Sequence, residues 1–220
     1  MPFADPQMPF ADRRDAGRRL AAAVAPLELH QPVVLALPRG GVPVGYELAQ
    51  ALGAPLDVLM VRKLGCPGQP ELGLGAIAED GVELRNTDLI REAGTAHEQL
   101  AEIARREHRE LDRRVQLYRQ GRVGVALADR SVVLVDDGLA TGFTARAGIA
   151  VVRRRGAAQV VVAVPVAPAE TVAQLRELAD EVVCLETPAD FVAIGGFYAD
   201  FTQVSDAEVV ALLDTGLALR

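Results

Sequence analysis

Apolar, β-branched runs alternate along this chain with segments whose apolar residues recur at helical spacing. Uninterrupted apolar runs of this kind are typical of strands buried on both faces of a parallel sheet. We assign strands to residues 32–37, 56–61, 132–135, 159–164 and 181–185. Helical patterns cover residues 13–24, 43–52, 144–155, 168–178 and 206–213. The alternation predicts an α/β fold with a doubly wound, mainly parallel sheet and right-handed crossovers.

Two segments interrupt this alternation. Residues 65–70 are rich in Gly and Pro and predict a loop, and residues 74–84 have a hairpin pattern around Glu79-Asp80-Gly81. Residues 95–120 carry a helical apolar stripe, and their other faces are dense in Glu and Arg at i,i+4 spacing. This pattern favours an exposed, charge-laced helix. A subunit contact in a homodimer is the alternative for the same surface.

The two ends of the chain have patterns of their own. Met-Pro-Phe-Ala-Asp occurs at residues 1–5 and again at 8–12, and we interpret residues 1–12 as a loose N-terminal extension. Residues 13–220 are then one domain. Residues 187–204 are irregular, and aromatic side chains cluster there on a glycine-rich backbone. Such a cluster suits a flat ring held by stacking, with ordinary packing of a lid as the alternative.

Composition and charge narrow the class of protein. A chain of 220 residues, half of them apolar, can form one sizeable domain with a real core. The net charge of −7 argues against a nucleic-acid or membrane surface. Cys66 and Cys184 lie far apart and fit no zinc spacing, which favours a reduced, cytoplasmic setting. We recognise no secretory signal, and the apolar run 160–169 is too short to span a bilayer.

The most informative stretch is 132–144, where an apolar strand ends in Asp136 and Asp137 and a Gly-Thr loop leads into a helix. Ligands of open parallel sheets bind where strands end and helices begin. Backbone amides in such a loop form a cradle for phosphate, and the hydroxyls of Thr141 and Thr144 can donate to the same group. The two carboxylates before it suit the vicinal hydroxyls of a sugar or a metal ion. The alternative is an ordinary turn after an acidic strand end.

This stretch resembles the phosphoribosyl-pyrophosphate signature of the type I phosphoribosyltransferases: an apolar strand, two acids, two small or apolar residues and a Thr-Gly-x-Thr loop. Its residues Asp-Asp-Gly-Leu-Ala-Thr-Gly are closest to those of the adenine-type members, although glycine replaces the usual aliphatic residue at 138. The resemblance implies the fold of that family, with a flexible flap at about 64–86 and a small hood at about 187–204. It also implies that the donor substrate is bound by Gly138, Leu139, Ala140, Thr141, Gly142, Phe143 and Thr144.

A second loop with anion-binding character is Pro38-Arg39-Gly40-Gly41, which follows the strand at 32–37. Paired glycines let amides turn towards an anion, and arginine has a planar fork suited to phosphate oxygens. An ordinary turn with a surface arginine is the alternative. The resemblance assigns binding of the donor's pyrophosphate to Arg39, Gly40 and Gly41.

Arg62 and Lys63 follow the predicted strand at 56–61, which places them on the ligand side of the sheet. The pair is similar to one that contacts the departing pyrophosphate in adenine and orotate enzymes. A solvated basic turn is the alternative. Relatives often carry a further lysine in the flap, whereas this chain has none nearby.

The resemblance implies Mg²⁺-dependent transfer of ribose 5-phosphate from phosphoribosyl pyrophosphate to a nitrogenous base, as in nucleotide salvage. Asp136 and Asp137 would hold the ribose hydroxyls near the developing positive charge, and Lys63 would act on the leaving group. Asp136, Asp137 and Asp200 are the expected Mg²⁺ ligands. Phe191 is expected to stack on the base, because residues 190–201 are similar to the hood of hypoxanthine-type enzymes.

The acceptor base is left open by the sequence. Ala140 stands where hypoxanthine-type enzymes carry an aspartate, and the tail differs from that of adenine and orotate types. Two other classes of protein are compatible with the signature. One is a non-catalytic regulator that senses phosphoribosyl pyrophosphate and binds nucleic acid, which the acidic charge disfavours. The other is a phosphatase-like enzyme that shares only the phosphate cradle.

Overall fold

The computed structural model describes residues 9–216, apart from the side chains of 70–72 and 216, and consists of a parallel sheet, an antiparallel sheet and seven helices in that range. The strands are β1 (Val33–Ala36), β2 (Leu56–Val58), β3 (Val61–Cys66), β4 (Gln69–Ala78), β5 (Val82–Arg85), β6 (Ser131–Val135), β7 (Gln159–Val166) and β8 (Glu181–Glu186). The helices are α1 (Arg13–Val24), α2 (Gly41–Leu52), α3 (Thr87–Glu92), α4 (His97–Arg119), α5 (Phe143–Arg154), α6 (Ala169–Arg176) and α7 (Asp206–Gly216).

The central sheet is parallel throughout, with the strand order β2-β1-β6-β7-β8. Alternate side chains of its inner strands enter two different clusters. One cluster contains Val34 and Val133 and packs against α1, α2 and α7; the other contains Leu35 and Leu134 and packs against α5 and α6. Both faces of the sheet are therefore covered, which explains the unbroken apolar runs and confirms the doubly wound fold.

The strand predicted at 56–61 is wrong beyond Val58. The chain leaves the central sheet there, and β3 begins a separate antiparallel sheet of order β3-β4-β5. Arg62 and Lys63 consequently belong to the flap and not to the end of a core strand. The apolar run continues across this change of sheet, so the hydrophobic pattern contains no sign of it.

The predicted hairpin is confirmed, because β4 and β5 pair antiparallel on either side of residues 79–81. The loop predicted over 65–70 is wrong in extent. Cys66 and Gln69 pair across a two-residue turn of Pro67 and Gly68, and Gly68 has a φ of 77°. The chain-breaking residues Pro67 and Gly68 therefore form a tight turn within a hairpin and not a longer loop.

The prediction of a loose N-terminal extension is wrong for residues 9–12, while residues 1–8 lie outside the described range. Phe10 is fully buried and forms a parallel bridge with Tyr198 of the hood. Its N–H donates to the carbonyl of Phe197 (3.1 Å), and its own carbonyl accepts from the N–H of Ala199 (2.8 Å). The carboxylate of Asp12 then caps α1 by accepting from the Asp15 N–H (2.7 Å).

The long helix predicted at 95–120 is α4, and its apolar stripe is buried as expected through Leu100, Ile103 and Leu111. The short helix α3 before it was not predicted. No helix among the described residues is both long and apolar enough to cross a membrane.

Candidate functional site

The acid pair lies at the carboxyl end of β6, in the centre of the parallel sheet. Asp137 is 8% exposed, and the half-buried Asp136 carboxylate accepts a hydrogen bond from the Asp137 N–H (2.8 Å). Burial raises the pKa of Asp136 well above its ordinary value, and the neighbouring charge of Asp137 raises it further. Burial also raises the pKa of Asp137, although Arg13 opposes this shift. Two carboxyl groups are thus concentrated at one strand end.

The glycine loop after β1 packs directly on these acids. A Cβ atom on Gly40 would lie 1.8 Å from Oδ2 of Asp137, and one on Gly41 would lie 2.7 Å from the carbonyl oxygen of Val135. Neither position can hold a side chain without displacing its neighbour. The structure thus brings the glycines of the loop after β1 into contact with the end of β6, where the acid pair lies.

This meeting point has a topological origin. The chain runs from β1 outwards to β2 and then crosses back to β6 on the other side of β1. The reversal places the loops after β1 and β6 side by side at the carboxyl end of the sheet, and the crevice at such a switch point is where open α/β sheets bind ligands. The helices α2 and α5 begin directly after these two loops. N-terminal N–H groups of helices attract anions, and in α2 the Gly41 and Val42 N–H groups already donate to the carbonyls of Leu37 and Arg39 (3.1 Å each).

Arg39 begins the turn into α2, and its side chain is about one-quarter exposed (27%). The peptide bond between Pro38 and Arg39 is cis. Nη1 of Arg39 lies 3.7 Å from the Asp206 carboxylate, which also accepts a hydrogen bond from the Tyr118 hydroxyl (2.5 Å). Burial and this carboxylate raise the pKa of Tyr118 to about 12. Asp206 therefore links the guanidinium of Arg39 to α4 and α7.

The loop from Gly138 to Gly142 is fixed by the next strand and helix. The Leu139 N–H donates to the Val166 carbonyl (2.9 Å), and the Thr171 hydroxyl donates to the Ala140 carbonyl (2.7 Å). Gly142 has a φ of 70°, which favours glycine at this N-cap. The predicted contact residues lie around it: Ala140 and Thr141 are exposed, and Phe143 and Thr144 are half-buried.

The two basic residues of the flap point to different partners. Arg62 donates from Nε and Nη2 to one carboxylate oxygen of Glu107 on α4, at 2.9 and 2.6 Å. Lys63 is exposed, and its charge lowers the pKa of Asp136 against the opposing effect of burial. Of the predicted pair, Lys63 is the residue whose charge acts on Asp136.

The hood covers the acid pair from the other side. A Cβ atom on Gly138 would lie 2.6 Å from Cγ2 of Ile194, so the hood occupies the space of the aliphatic residue expected at 138. Phe191 stacks on Phe197, with ring centroids 5.8 Å apart and an interplanar angle of 13°. Asp200 is exposed and accepts hydrogen bonds from the N–H (2.9 Å) and hydroxyl (2.6 Å) of Thr202.

Two residues at the site were missed by the sequence analysis. Nε of Arg13 donates to Oδ2 of Asp137 (2.8 Å), and the Tyr198 hydroxyl donates to the Asp137 carbonyl (2.5 Å). Arg13 follows the N-cap of a helix, where an arginine is unremarkable in sequence. Tyr198 belongs to the aromatic cluster of the tail, and that cluster was the only sequence signal for either residue.

The acid pair is the candidate cation site. No group of three His, Cys, Asp or Glu side chains forms a metal-binding cluster within residues 9–216. Mg²⁺ is commonly held by one or two carboxylates together with substrate phosphates and water. The half-buried carboxylate of Asp136 suits that arrangement, because Asp137 is already paired with Arg13.

Comparison with known proteins gives the family. Residues 12–202 match the phosphoribosyl transferase domain. Two Mycobacterium tuberculosis proteins, provisionally named phosphoribosyl transferases, are 53% identical over 205 residues, covering 93% of this chain and 46% of their own length. The chain thus spans about half the length of these relatives. The crystal structure of TT1426 from Thermus thermophilus is 47% identical, with a TM-score of 0.79, and the match covers 96% of this chain and 99% of that one.

The matched region contains the central sheet, the flap and the hood up to Thr202. It therefore includes both loops of the crevice and the acid pair between them. The domain match, the sequence identity and the fold agree with the signature at 132–144, and the chain belongs to the phosphoribosyl transferase domain family.

Proposed function

We propose that the chain transfers ribose 5-phosphate from phosphoribosyl pyrophosphate to a nitrogen atom of a nucleobase and releases pyrophosphate. The observation that carries this proposal is the order of groups along the crevice between β1 and β6. One glycine-containing loop and helix N-terminus lies on each side, and Asp136 and Asp137 lie between them. The donor has the matching order: pyrophosphate, ribose hydroxyls and 5-phosphate.

Different parts of the site bind different groups of the donor. The amides of 140–144 and the hydroxyls of Thr141 and Thr144 bind the 5-phosphate, whose binding energy is remote from the reacting bond and serves positioning. The loop 39–41 binds pyrophosphate. Asp136 accepts hydrogen bonds from the ribose hydroxyls and lies near the positive charge that develops on the ring.

Departure of pyrophosphate leaves negative charge that must be stabilised. Lys63 from the flap and Arg39 from the loop after β1 supply cationic groups for it. Mg²⁺ would be held by Asp136 and oxygens of the donor, with Asp137 behind it, and would neutralise charge on the pyrophosphate. Phe191 would stack on the acceptor base, and Asp200 would take part in binding only through a movement towards the acid pair.

The cellular setting follows from this chemistry. We place the reaction in nucleotide salvage in the cytoplasm, where phosphoribosyl pyrophosphate and free bases are available. The exposed face of α4, with charged residues of both signs such as Glu102 and Arg105, is our proposed contact between two copies in a homodimer. Size-exclusion chromatography with light scattering tests the dimer.

The direct test measures pyrophosphate release with Mg²⁺ and phosphoribosyl pyrophosphate across a panel of purine and pyrimidine bases. We expect release with one base or a few bases, and loss of release in the Asp136→Asn variant. Glu170→Gln is the matched control, because Glu170 is an exposed carboxylate on α6 outside the crevice. Release that is independent of any base, or unaffected by Asp136→Asn, would contradict the proposal.

A specific contact favours a second candidate, a non-catalytic sensor of phosphoribosyl pyrophosphate. Arg62 is bound to Glu107 on α4, so the flap brings one cation and not two towards the leaving group. Pyrophosphate release across the panel of bases separates these two functions, and calorimetric titration with the donor and Mg²⁺ separates both from a phosphatase-like enzyme. A sensor would bind the donor with Mg²⁺ and release no pyrophosphate with any base. A phosphatase-like enzyme would bind only the 5-phosphate of the donor, and its pyrophosphate would make no contact.

A further inference from the structure

We propose that Arg13, the first residue of α1, is a positioning residue of the donor site that holds the Asp137 carboxylate against the glycine loop. The predicted effect of Arg13 on activity depends on the proposed function being correct. The predicted effect of Arg13 on the position of the glycine loop does not. Arg13 touches no group that we assign to the substrate, and it acts through Asp137.

The ion pair between Arg13 and Asp137 is largely buried. Nε of Arg13 lies 2.8 Å from Oδ2 of Asp137, and each side chain is 11% exposed. Exposed ion pairs contribute little, because water and salt screen them. Removing one partner of a buried pair is strongly unfavourable, because the remaining charge is left without compensation. The position of the Asp137 carboxylate therefore depends on Arg13.

Arg13 is itself held in place by the hood. Its Nη1 donates to the carbonyl of Thr202 (2.8 Å), and its guanidinium carbon lies 3.8 Å from the centroid of the Phe201 ring. Arginine combines a planar fork of donors with a face that stacks on aromatic rings, and lysine lacks both. A guanidinium held by the hood at two points can fix the carboxylate that it binds.

The Asp137 carboxylate in turn determines the position of the loop 39–41, which we expect to bind the pyrophosphate of the donor. Oδ2 of Asp137, the atom bound by Arg13, is also the atom that would lie 1.8 Å from a Cβ on Gly40. The Gly40 backbone therefore rests on the oxygen that Arg13 holds. Movement of this oxygen would shift Gly40 and the first turn of α2, where we expect the pyrophosphate to bind.

The contact also joins three separate parts of the fold. Phe10 pairs with the hood just before α1, and Arg13 binds both the hood and the end of β6. A cavity of about 200 Å³ beside Arg13 is lined by Asp12, Arg14, Asp200 and Thr202 among others. Its lining has charges of both signs, so we assign it no ligand.

The first experiment needs no substrate. We expect hydrogen exchange at the Gly40 and Gly41 amides to be faster in Arg13→Met than in the wild type, because the carboxylate beneath the loop is no longer fixed. Arg18→Met is the matched control, because Arg18 is on the same helix, is 57% exposed and forms ion pairs of 3.9 Å, and none closer, with the described residues. Unchanged exchange in Arg13→Met would overturn the positioning role, whether or not the protein binds the proposed donor.

The second experiment measures binding and turnover of phosphoribosyl pyrophosphate. We expect Arg13→Met to raise the KM and Kd for the donor at least tenfold and to leave the KM for the base within twofold. Arg13→Lys should recover part of the loss, because it keeps a charge for Asp137 but cannot also bind Thr202 and stack on Phe201. If Arg13→Met does not fold, Arg13→Lys is compared with the wild type instead. Equal Kd values for Arg13→Lys, Arg18→Met and the wild type would overturn the inference.

A double-mutant cycle tests whether Arg13 acts through Asp137. In an Asp137→Asn background the Arg13→Met change should alter the donor Kd less than threefold, since the carboxylate that it positions is absent. Full additivity would contradict the inference. Failure of the wild type to bind the donor would refute the proposed function, and the exchange experiment would still decide the role of Arg13.

Discussion

At the scale of single residues, the two adjacent aspartates have different surroundings and hence different roles. Asp137 has a cation on its carboxylate, a tyrosine hydroxyl on its carbonyl and the glycine loop against its oxygen. Asp136 has no salt bridge with a described residue and is less deeply buried. Asp137 is built into the framework of the site, whereas Asp136 is the acid that is available to a ligand.

The first prediction concerns the stability of an Asp136→Asn variant. The pKa of Asp136 is raised in the folded protein, so its ionised form destabilises the fold at every pH above its ordinary value of 3.8. The destabilisation is absent below that value and grows as pH rises towards the folded pKa. Urea unfolding should show the variant to be more stable near neutral pH by about 1 kcal/mol, which is within the usual range for a single stabilising substitution.

The same series separates Asp136 from its neighbour. The advantage of Asp136→Asn should shrink as the pH falls towards 4. Asp137→Asn should gain less stability than Asp136→Asn near neutral pH, because it also leaves Arg13 buried without its partner. Equal stability of the two variants would show that the acids are interchangeable and would contradict the division of roles.

A second prediction concerns Gly138, the position at which the signature departs from its relatives. The Cβ of Gly138→Ala would lie 2.6 Å from Cγ2 of Ile194 and 3.0 Å from Cγ1 of Val166, so the hood must move. We expect a loss of about 1–3 kcal/mol in unfolding free energy, as for other overpacked sites. Adding Ile194→Ala removes the clashing methyl group and should recover part of the loss.

Gly196 is the matched control for this change. A Cβ there would meet no atom within 4 Å, and its φ is negative, so Gly196→Ala should leave stability within about 0.5 kcal/mol of the wild type. If Gly138→Ala behaves like Gly196→Ala, the hood does not press on the signature loop in solution.

At the scale of elements, a buried ionic network anchors the flap to the rest of the domain. Glu79, 7% exposed at the turn between β4 and β5, accepts from the Met60 N–H (2.9 Å), Nη1 of Arg119 (2.7 Å) and Nη2 of Arg155 (2.9 Å). These arginines lie at the ends of α4 and α5, so one carboxylate joins the flap base to two helices. Nε of Arg119 is the buried side-chain nitrogen without a hydrogen bond among the described residues, 3.6 Å from Asp57.

The third prediction is that Glu79→Gln weakens this anchor. Two partly buried guanidinium groups would lose their shared anion. Because Arg155 keeps Asp80 and Arg119 keeps Asp57, we expect a cost of about 1.5–3 kcal/mol, the usual contribution of hydrogen bonds to charged groups.

Glu83→Gln is the matched control, because Glu83 pairs with Arg85 (2.7 Å) in a more exposed ion pair of the same sheet that should contribute less than about 1 kcal/mol. Denaturant unfolding compares the two, and equal effects would mean that the network does not anchor the flap.

The sequence predicted elements far better than contacts between elements. Helix 13–24 was predicted with its observed bounds and α4 to within two residues, because both have long, regular apolar stripes. The partner of Arg13 lies 124 positions away and that of Arg62 lies 45 positions away, and no local periodicity records such pairs. The signature at 132–144 located the acids, but the packing that distinguishes them could not be inferred from it.

At the scale of the whole molecule, the proposed donor would contact loops from both halves of the sheet together with the flap and the hood. The N-terminal segment adds to this enclosure, because Phe10 pairs with the hood and Arg13 reaches the acid pair. A ligand that binds all these parts only when they are assembled must stabilise the whole domain.

The last prediction uses this linkage to test the metal. Phosphoribosyl pyrophosphate at about 100 times its Kd, with excess Mg²⁺, should stabilise the protein by about 2.7 kcal/mol, seen as a rise in Tm. Removing Mg²⁺ with EDTA should abolish most of the rise, because the carboxylate of Asp136 then faces an uncompensated pyrophosphate. Asp136→Asn should show a small rise that differs little with and without Mg²⁺. An equal rise in the wild type with Mg²⁺ and with EDTA would mean that Asp136 holds no metal when the donor is bound, and that Lys63 and Arg39 alone neutralise the leaving group.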